Sequence, residues 1–264
     1  MRTEFDRHMK ILSLGDIVGT NAIEYIRTRL WSFREKNGID FVIANGENAT
    51  DVRGLCARDA RILLDCGIDV VTLGNHTYGM RDLYPVLENE ARLVRPANYP
   101  PEAPGCGYTI VTADGWRLLC INVCGCALME PLACPFETVD KILKREAGNY
   151  DLAILDIHAE TTSEKLALGY YFDGRIQMMF GTHTHVATAD AQVLPKGSGY
   201  ITDLGMCGPV RSIIGTDIET VIRRFRTHLP AHFTVADGEV RAHGAIFEID
   251  PDAKRVLRVS RVTF

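Results

Sequence analysis

The sequence lacks the features that mark several large classes of protein. It has no uncharged apolar run long enough to cross a bilayer, so a membrane protein is not expected. The start, MRTEFDRHMK, has no apolar stretch like that of a secretory signal, and a cytoplasmic location is therefore expected. Positive charge is not in excess, because 29 Lys and Arg face 34 Asp and Glu. The resulting net charge of −5 argues against an extended cationic groove for nucleic acid.

Motifs of several enzyme classes are also absent. The chain contains no GxSxG nucleophile elbow, no GxxxxGK[ST] phosphate loop and no GxGxxG motif after a strand. The segment HAETT at 158–162 is not the HExxH motif of zinc proteases. These absences disfavour the corresponding hydrolases, nucleotide-binding folds and zincins.

Eight cysteines are present, but the paired CxxC spacing of structural zinc sites is not. The densest group is Cys120, Cys124, Cys126 and Cys134, which reads CxxxC followed by CxC. Cys120 lies in the apolar run LLCINV, where cysteine is a common small core residue. A chain of 264 residues does not need disulfides to be stable. Reduced thiols are therefore predicted, with a zinc site as the alternative.

What the sequence does contain is a regular alternation of strand and helix. Apolar residues make up 46% and charged residues 24%, as in ordinary globular proteins with a buried core. Apolar runs predict strands at 10–15, 41–46 and 69–74. The segments between and after them predict helices near 21–36, 56–66 and 80–90. Three such units in succession indicate parallel strands with covering helices.

The second half of the chain continues with more strands. The segment 108–123 predicts a hairpin that turns at Asp114-Gly115. Strands are predicted at 151–160 and 176–185, with helices near 136–147, 161–172 and 217–227, and the tail adds the strand-like runs AQVLP, GYITD, HFTVADG, EVRAHGAIFEID and RVLRVSRV. We predict an α/β fold: a sandwich of two mixed sheets, parallel in their early strands and flanked by helices. It forms a single domain over residues 10–264, preceded by an N-terminal extension at 1–9.

Polar side chains follow the carboxyl ends of five predicted strands. They occur in Gly15-Asp16, Gly46-Glu47-Asn48, Gly74-Asn75-His76, Asp156-Ile157-His158 and Gly181-Thr182-His183-Thr184-His185. Ligand crevices of open α/β sheets lie outside such strand ends, so these residues are expected to converge. Their mixed oxygen and nitrogen donors suit Mn, Fe or Zn in a catalytic site.

Each of these segments also has a purely structural alternative. Asp16 alone is typical of a helix N-cap or a turn, and Asn75-His76 is typical of the start of a helix. A single histidine such as His158 is most often packed and hydrogen-bonded. The pair His183 and His185 is more specific, because alternate residues of an extended chain share a face. Five chance occurrences at successive strand ends are implausible, and the set together favours a metal site.

The same blocks resemble a known family. GD (15–16), GEN (46–48), GNH (74–76), His158 and GTHTH (181–185) resemble the ordered signature blocks of calcineurin-like metallophosphoesterases. The residues within these blocks resemble those of the YmdB-type branch, a bacterial 2′,3′-cyclic-nucleotide phosphodiesterase family. Further similar stretches are GDIVG (15–19), RPAN (95–98), TSEKLALG (162–169), LPKG (194–197) and ITDLGMCGP (201–209). The first block has no histidine and the second has Glu47 instead of aspartate, and both departures are shared by this branch.

The resemblance implies a pair of divalent or mixed-valence metal ions, with Fe or Mn favoured and Zn as an alternative. One ion would be held by Asp16, Glu47, Asn48 and His185, and the other by Glu47, Asn75, His158 and His183. Glu47 would bridge the two ions, and Asn48 would replace the missing histidine of the first block. His76 would face the substrate as the general acid for the leaving alkoxide.

The activity implied is metal-dependent hydrolysis of a small phosphodiester, with 2′,3′-cyclic nucleotides favoured, by attack of a metal-bridging hydroxide. Thr184, Lys165 and Lys196 are candidates for substrate contacts, although a loop residue and two solvated lysines are the favoured alternative. Other functions left open are a phosphomonoesterase, a nuclease, or a regulatory binding module in RNA turnover. A homo-oligomer is what the family suggests.

Overall fold

The computed structural model describes residues 8–264 of the chain. Its strands are β1 (Met9–Leu14), β2 (Asp16–Ile17), β3 (Phe41–Asn45), β4 (Val70–Thr72), β5 (Leu93–Val94), β6 (Tyr108–Ala113), β7 (Trp116–Cys124), β8 (Leu152–His158), β9 (Met178–Thr182), β10 (Gln192–Val193), β11 (Gly199–Ile201), β12 (Met206–Pro209), β13 (Val240–Arg241), β14 (His243–Asp250) and β15 (Arg255–Thr263). Its α-helices are α1 (Thr20–Asn37), α2 (Ala57–Asp65), α3 (Tyr84–Asn89), α4 (Pro135–Arg145), α5 (Thr162–Phe172) and α6 (Ile218–Thr227).

The strands form two six-stranded sheets and a small three-stranded one. The first sheet has the order β15-β14-β1-β3-β4-β5 and the second β10-β11-β9-β8-β7-β6. In the first, β1, β3, β4 and β5 run parallel, and in the second β7, β8, β9 and β11 do. The other strands of these two sheets pair antiparallel. The predicted α/β fold with two mixed sheets is therefore confirmed.

Alternation along the strands explains how the layers are packed. In β1, Ile11 belongs to the core between the two sheets, whereas Leu12 and Leu14 face the core beneath α1 and α2. In β8, Ile154 faces the core between the sheets, and Leu155 packs with residues of α4 and α5. The result is four layers, with helices outside both sheets. This stacking places the carboxyl ends of both parallel sets at one edge.

The small sheet, in the order β13-β12-β2, lies at that edge. β2 follows β1 after Gly15, whose Cβ would lie 1.9 Å from the carbonyl oxygen of Gly205. Only glycine fits there, because a side chain would collide with backbone. The register then pairs Asp16 with Met206, which fixes the aspartate beside the loop after β9.

Two sequence predictions differ from the structure, and two short strands have no counterpart among the predictions. The run at 232–238 forms no strand, only an isolated bridge between Val235 and Thr216, because it has no neighbouring strand to pair with among the described residues. The segment near 80–90 divides into a 3₁₀ turn at Arg81–Leu83 and α3, and Pro85 lies in the first turn of that helix. The two-residue β5 and the Gly- and Pro-containing β12 carry too weak a pattern to be predicted.

Two further predictions concern the start of the chain and membrane-crossing segments, and a third concerns the cysteines. Residues 1–7 of the predicted extension 1–9 lie outside the described residues, and Met9 is the first residue of β1. The division at residue 10 stays a prediction. Among residues 8–264, no helix combines the length and apolar character that a membrane crossing requires. All eight cysteines are free thiols in the structure.

Candidate metal centre

The predicted site residues converge at the shared strand edge. Asp16 begins β2, Glu47 and Asn48 follow β3, and Asn75 and His76 follow β4. From the second sheet, His158 is the last residue of β8, while His183 and His185 follow β9. Residues from 16 to 185 in the sequence thus surround one small volume, as the sequence predicted.

The densest part of the site surrounds the ring nitrogen Nε2 of His158. This atom lies 3.0 Å from Glu47 Oε1, 3.0 Å from Asn75 Oδ1 and 3.1 Å from Nδ1 of His183. One ligand atom each from Glu47, His158 and His183 lies within 4.8 Å of the other two. Donors at these separations are arranged as a set that could bind one metal ion.

A second group lies on the other side of Glu47. Nε2 of His185 lies 3.7 Å from Asp16 Oδ1 and 3.1 Å from the side-chain nitrogen of Asn48. That amide nitrogen is 3.4 Å from Glu47 Oε1. Oδ1 of Asp16 and Oδ1 of Asn48 are buried and have no hydrogen-bond partner within residues 8–264. Buried oxygens without partners are costly, and a cation bound between these residues would satisfy both.

The hydrogen bond from Thr182 determines which nitrogen of His158 carries hydrogen. The Thr182 hydroxyl lies 2.7 Å from Asp156 Oδ1, and it donates its only hydrogen to this carboxylate. It must therefore accept the hydrogen bond from Nδ1 of His158, which is 2.9 Å away. In the neutral ring Nε2 therefore carries the lone pair, and in the protonated ring Nε2 donates to Glu47 Oε1 at 3.0 Å. Such outer partners orient histidine ligands in metal sites.

The two other histidines are held in the same way. Nε2 of His183 lies 3.0 Å from a carboxylate oxygen of Glu160, so this nitrogen donates and Nδ1 keeps its lone pair. Nδ1 of His185 donates to the backbone carbonyl of Ile214 at 2.8 Å, so its lone pair is on Nε2. All three histidines, when neutral, therefore direct a lone pair into the cluster. A cation is needed between Nε2 of His158 and its neighbours Glu47 and His183, either the proton of a protonated ring or a metal ion.

The charges in the cluster favour a cation as well. Burial lowers the pKa of His158, but the charges of Glu47, Asp16 and Asp156 outweigh it and raise the pKa to about 9. Burial also raises the pKa of Glu47, yet the charge and hydrogen bond of His158 reverse this and lower it to about 2. For Asp16, burial raises the pKa to about 6 despite His185 and His158. The site thus stabilises positive charge beside the carboxylate of Glu47. The donor set fits metal ions.

Gly74 allows these groups to approach each other. A Cβ atom at this position would lie 2.3 Å from Glu47 Oε2 and 2.3 Å from Nε2 of His158. Real atoms do not approach so closely, and any larger residue would displace one of the two groups. The glycine that precedes Asn75 in the sequence is therefore required by the site rather than by the backbone conformation.

Sequence reasoning missed the residues that support the cluster from beneath. Asn45 donates to Asp156 Oδ2 at 3.1 Å and to the carbonyl of Leu73, and its own oxygen accepts from the amide of Glu47. Thr72 also donates to Asp156. Asp156 and Thr182 do lie within the recognised strand-end segments. Asn45 and Thr72 lie inside apolar runs and carry no separate signal.

Another buried pair lies behind the loop that carries the histidines. Lys165 is fully buried, and its Nζ lies 2.7 Å from Asp203 Oδ2. The same oxygen accepts from the hydroxyl of Thr184 at 2.8 Å. Neither a substrate contact nor a solvated position describes Lys165. It neutralises Asp203, which in turn holds the residue between His183 and His185.

His76 occupies a different position from the clustered histidines. Its backbone amide donates to Glu47 Oε2 at 2.9 Å, and its ring faces a cavity of about 430 Å³ that the cluster also lines. Burial lowers the pKa of His76, while the charge of Glu47 opposes this effect. Arg53 lines the same cavity and its charge acts on His76.

Comparison with known proteins agrees with this geometry. The model of the YmdB-like protein family matches residues 12–262. The chain belongs to the YmdB-like family. It is 42% identical over 254 residues to a Bacillus subtilis (strain 168) protein named 2′,3′-cyclic-nucleotide 2′-phosphodiesterase, with 96% of each chain covered. The resemblance to this family is therefore confirmed.

Two solved structures have the same fold throughout. One is a hypothetical protein from Thermus thermophilus, with a TM-score of 0.92, 41% identity and coverage of 97% of this chain and 99% of that one. The other is described as a novel phosphatase from Mycoplasma pneumoniae, with a TM-score of 0.92 and 35% identity. The match covers 98% of this chain and 94% of the Mycoplasma pneumoniae chain.

Proposed function

We propose that this chain is a metal-dependent phosphodiesterase that hydrolyses small cyclic nucleotides, with 2′,3′-cyclic nucleotides as the principal substrates. The observation that carries the proposal is that His158, His183 and His185 each donate from the outer ring nitrogen, which leaves the inner nitrogen available to a metal ion near the Glu47 carboxylate. A purely structural cluster would pair each acceptor with a donor, because unpaired buried acceptors destabilise a fold. Here the outer nitrogen of each histidine donates, and the inner nitrogens of His158 and His183 lie 3.1 Å apart, where two neutral rings would have no hydrogen to share.

The proposed ligand sets divide at Glu47. Asn75, His158 and His183 would hold one ion together with Glu47, and their short mutual distances support this set. Asp16, Asn48 and His185 would complete the other set, supported by the two buried oxygens without partners among the described residues. Nitrogen and oxygen donors in these proportions suit iron or manganese, and also zinc.

Two metal ions, when bound, would supply a hydroxide nucleophile and stabilise charge on the phosphoryl oxygens. The residues of the chain have other tasks. His76 is placed beside the cluster and facing the cavity, where its ring would protonate the leaving oxygen of the ester. The amide of His76 donates to Glu47, so its position is tied to the proposed bridging ligand. Arg53 would contribute positive charge toward the phosphodiester.

The substrate class rests on the chemistry of the cavity and on the family. The Bacillus subtilis relative is named for 2′,3′-cyclic nucleotides. A volume of about 430 Å³ lies within the range of about 300–1,000 Å³ that is usual for small-molecule sites. The net charge of −5 also suits a small anion drawn to local metal ions better than a long polyanion.

Hydrolysis assays on metal-reconstituted protein test this proposal. The substrates are 2′,3′-cyclic AMP, 3′,5′-cyclic AMP, a simple phosphomonoester and a short single-stranded RNA. We expect the highest kcat/KM for 2′,3′-cyclic AMP. Preference for the monoester or RNA would instead favour a phosphatase or a nuclease. No activity on any substrate with metal bound would favour a binding module in RNA turnover.

We also propose that the chain forms a homo-oligomer. Light scattering would measure the mass of the assembly.

A further inference from the structure

The cavity beside the cluster has two chemically different sides. One side carries the proposed metal ligands and His76, and the other is apolar. Four side chains of the apolar side, which we term the apolar wall, are Ile213, Ile214, Phe225 and Phe233. If the phosphodiester group of a substrate were bound at the cluster, the rest of the substrate would extend toward this wall.

Phe225 on α6 is the most exposed member of the apolar wall. It is 74% exposed, whereas Val221, one turn earlier on the same helix, is buried in the protein. Isolated exposed apolar residues are common, but an exposed aromatic ring that lines a concave site beside polar groups is typical of ligand binding. Phe233, from the segment after α6, is half-buried and lines the same cavity.

Ile214 is held in the apolar wall against its conformational preference. Ile213 and Thr216 exchange two backbone hydrogen bonds of 2.9 and 3.0 Å, which close a two-residue turn. The central residues, Ile214 and Gly215, have φ values of 48° and 98°. Such turns favour Asn-Gly, and a β-branched residue with positive φ is strained. A strained residue that is also 52% exposed indicates a requirement other than stability.

The same turn is connected to the metal ligands. The carbonyl of Ile214 accepts the hydrogen bond from Nδ1 of His185, so the turn that carries the apolar side chain also orients a proposed ligand. One short segment of backbone therefore positions both Ile214 of the apolar wall and the proposed ligand His185.

We infer that the apolar wall binds the nucleobase of the substrate, with Phe225 and Ile214 contacting its faces, and so selects nucleotides over other cyclic phosphates. This inference rests on the proposed function. A planar base suits these side chains because stacking on an aromatic ring needs no matching hydrogen-bond donors. Other possible occupants, such as a second copy of the chain, would need no strained residue beside the ligand His185.

A pair of substrates tests this inference directly. Adenosine 2′,3′-cyclic phosphate carries a base, whereas the 2,3-cyclic phosphate of methyl riboside does not. The ratio of their kcat/KM values is measured for the wild-type enzyme and for Phe225→Ala and Ile214→Asn. Asparagine tolerates positive φ, so the second variant keeps the turn while it removes the apolar side chain. Ile222→Ala is the matched control, because Ile222 is 46% exposed on the same helix but does not line the cavity.

We expect the ratio to fall about tenfold in both wall variants, within the range of base stacking, and to stay unchanged in Ile222→Ala. Unchanged ratios in both wall variants would overturn the inference while leaving the proposed function intact. If the wall variants altered only the oligomeric state, measured by light scattering, the inference would also be overturned and the proposed function would stand. A wild-type enzyme that hydrolyses neither substrate contradicts the proposed function, and the inference with it.

Discussion

The hydroxyl of Thr182 lies 2.9 Å from Nδ1 of His158 and 2.7 Å from Oδ1 of Asp156. Because Asp156 takes the single hydrogen of this hydroxyl, His158 must donate from Nδ1 and present Nε2 to the cluster. Thr182 and His158 end neighbouring parallel strands, where the register pairs them. The pairing of β8 with β9 therefore determines the chemistry of the central ligand.

This relationship makes Thr182→Val a sharp test of the ligand geometry. Valine has the shape of threonine but cannot accept from Nδ1 of His158. We expect metal affinity to fall about 10- to 100-fold, as for other outer partners of metal-binding histidines. Isothermal titration calorimetry with the metal ion measures this affinity. The metal affinity of Thr182→Ser, which keeps the hydroxyl, should stay near that of the wild type. Equal affinities for the valine variant and the wild type would show that Thr182 does not orient His158.

Gly74→Ala should disrupt the cluster without removing any ligand. The added Cβ would lie 2.3 Å from Glu47 Oε2 and from Nε2 of His158, so these groups must separate. We expect most metal binding and turnover to be lost. Gly208→Ala is a suitable control, since the nearest atom to its Cβ would be 3.3 Å away, in the side chain of Val18. Both losses are measured by elemental analysis and by phosphodiester hydrolysis. A fully active alanine variant at position 74 would contradict the described packing.

The buried pair of Lys165 and Asp203 should dominate the stability of the loop that carries the histidines. Lys165→Met would leave Asp203 charged and buried without its partner, which costs about 3–5 kcal/mol in the free energy of unfolding. Urea denaturation at neutral pH measures this. Arg27→Met, which breaks the exposed pair with Glu24, should change stability very little. A methionine variant at position 165 as stable as wild type would mean that the pair contributes no stability.

His76→Ala should separate catalysis from metal binding. Its ring faces the cavity, so its loss should leave the metal ligands in place while it lowers kcat by about 10²–10⁴. Steady-state kinetics measures the turnover, with elemental analysis on the same sample. His183→Ala is the opposite case and should lose metal. A His76→Ala protein without metal would show that His76 is itself a ligand.

The positions of the proposed ligands could be predicted from the sequence because two regularities act together. Apolar runs locate strands, and parallel strands bring their carboxyl ends to one edge. The polar residues after each run, such as Glu47 and His183, therefore had to be neighbours. This holds without knowledge of which sheet each strand joins, as long as the two sheets pack face to face with their parallel strands running in the same direction.

The supporting residues could not be predicted in the same way. Asn45 and Asp156 lie in different sheets and 111 positions apart, so their hydrogen bond depends on how the sheets are stacked. Ile214 is another example, because an Ile-Gly pair does not indicate a tight turn. Its positive φ follows from the hydrogen bonds between Ile213 and Thr216, which tertiary packing enforces. In this protein the local sequence pattern locates the proposed ligands, whereas long-range packing determines how their side chains are oriented.

The metal content of the purified and reconstituted protein is the decisive measurement for the proposed two-metal site. Elemental analysis is made on the wild type, on Glu47→Gln and on His76→Ala, all after exposure to iron or manganese and removal of excess metal. We predict close to two metal ions per chain for the wild type and for His76→Ala. Glu47→Gln should lose most of both, because its carboxylate is shared by the two ligand sets. A wild-type protein that retains no metal, or a glutamine variant that retains as much as wild type, would contradict this prediction.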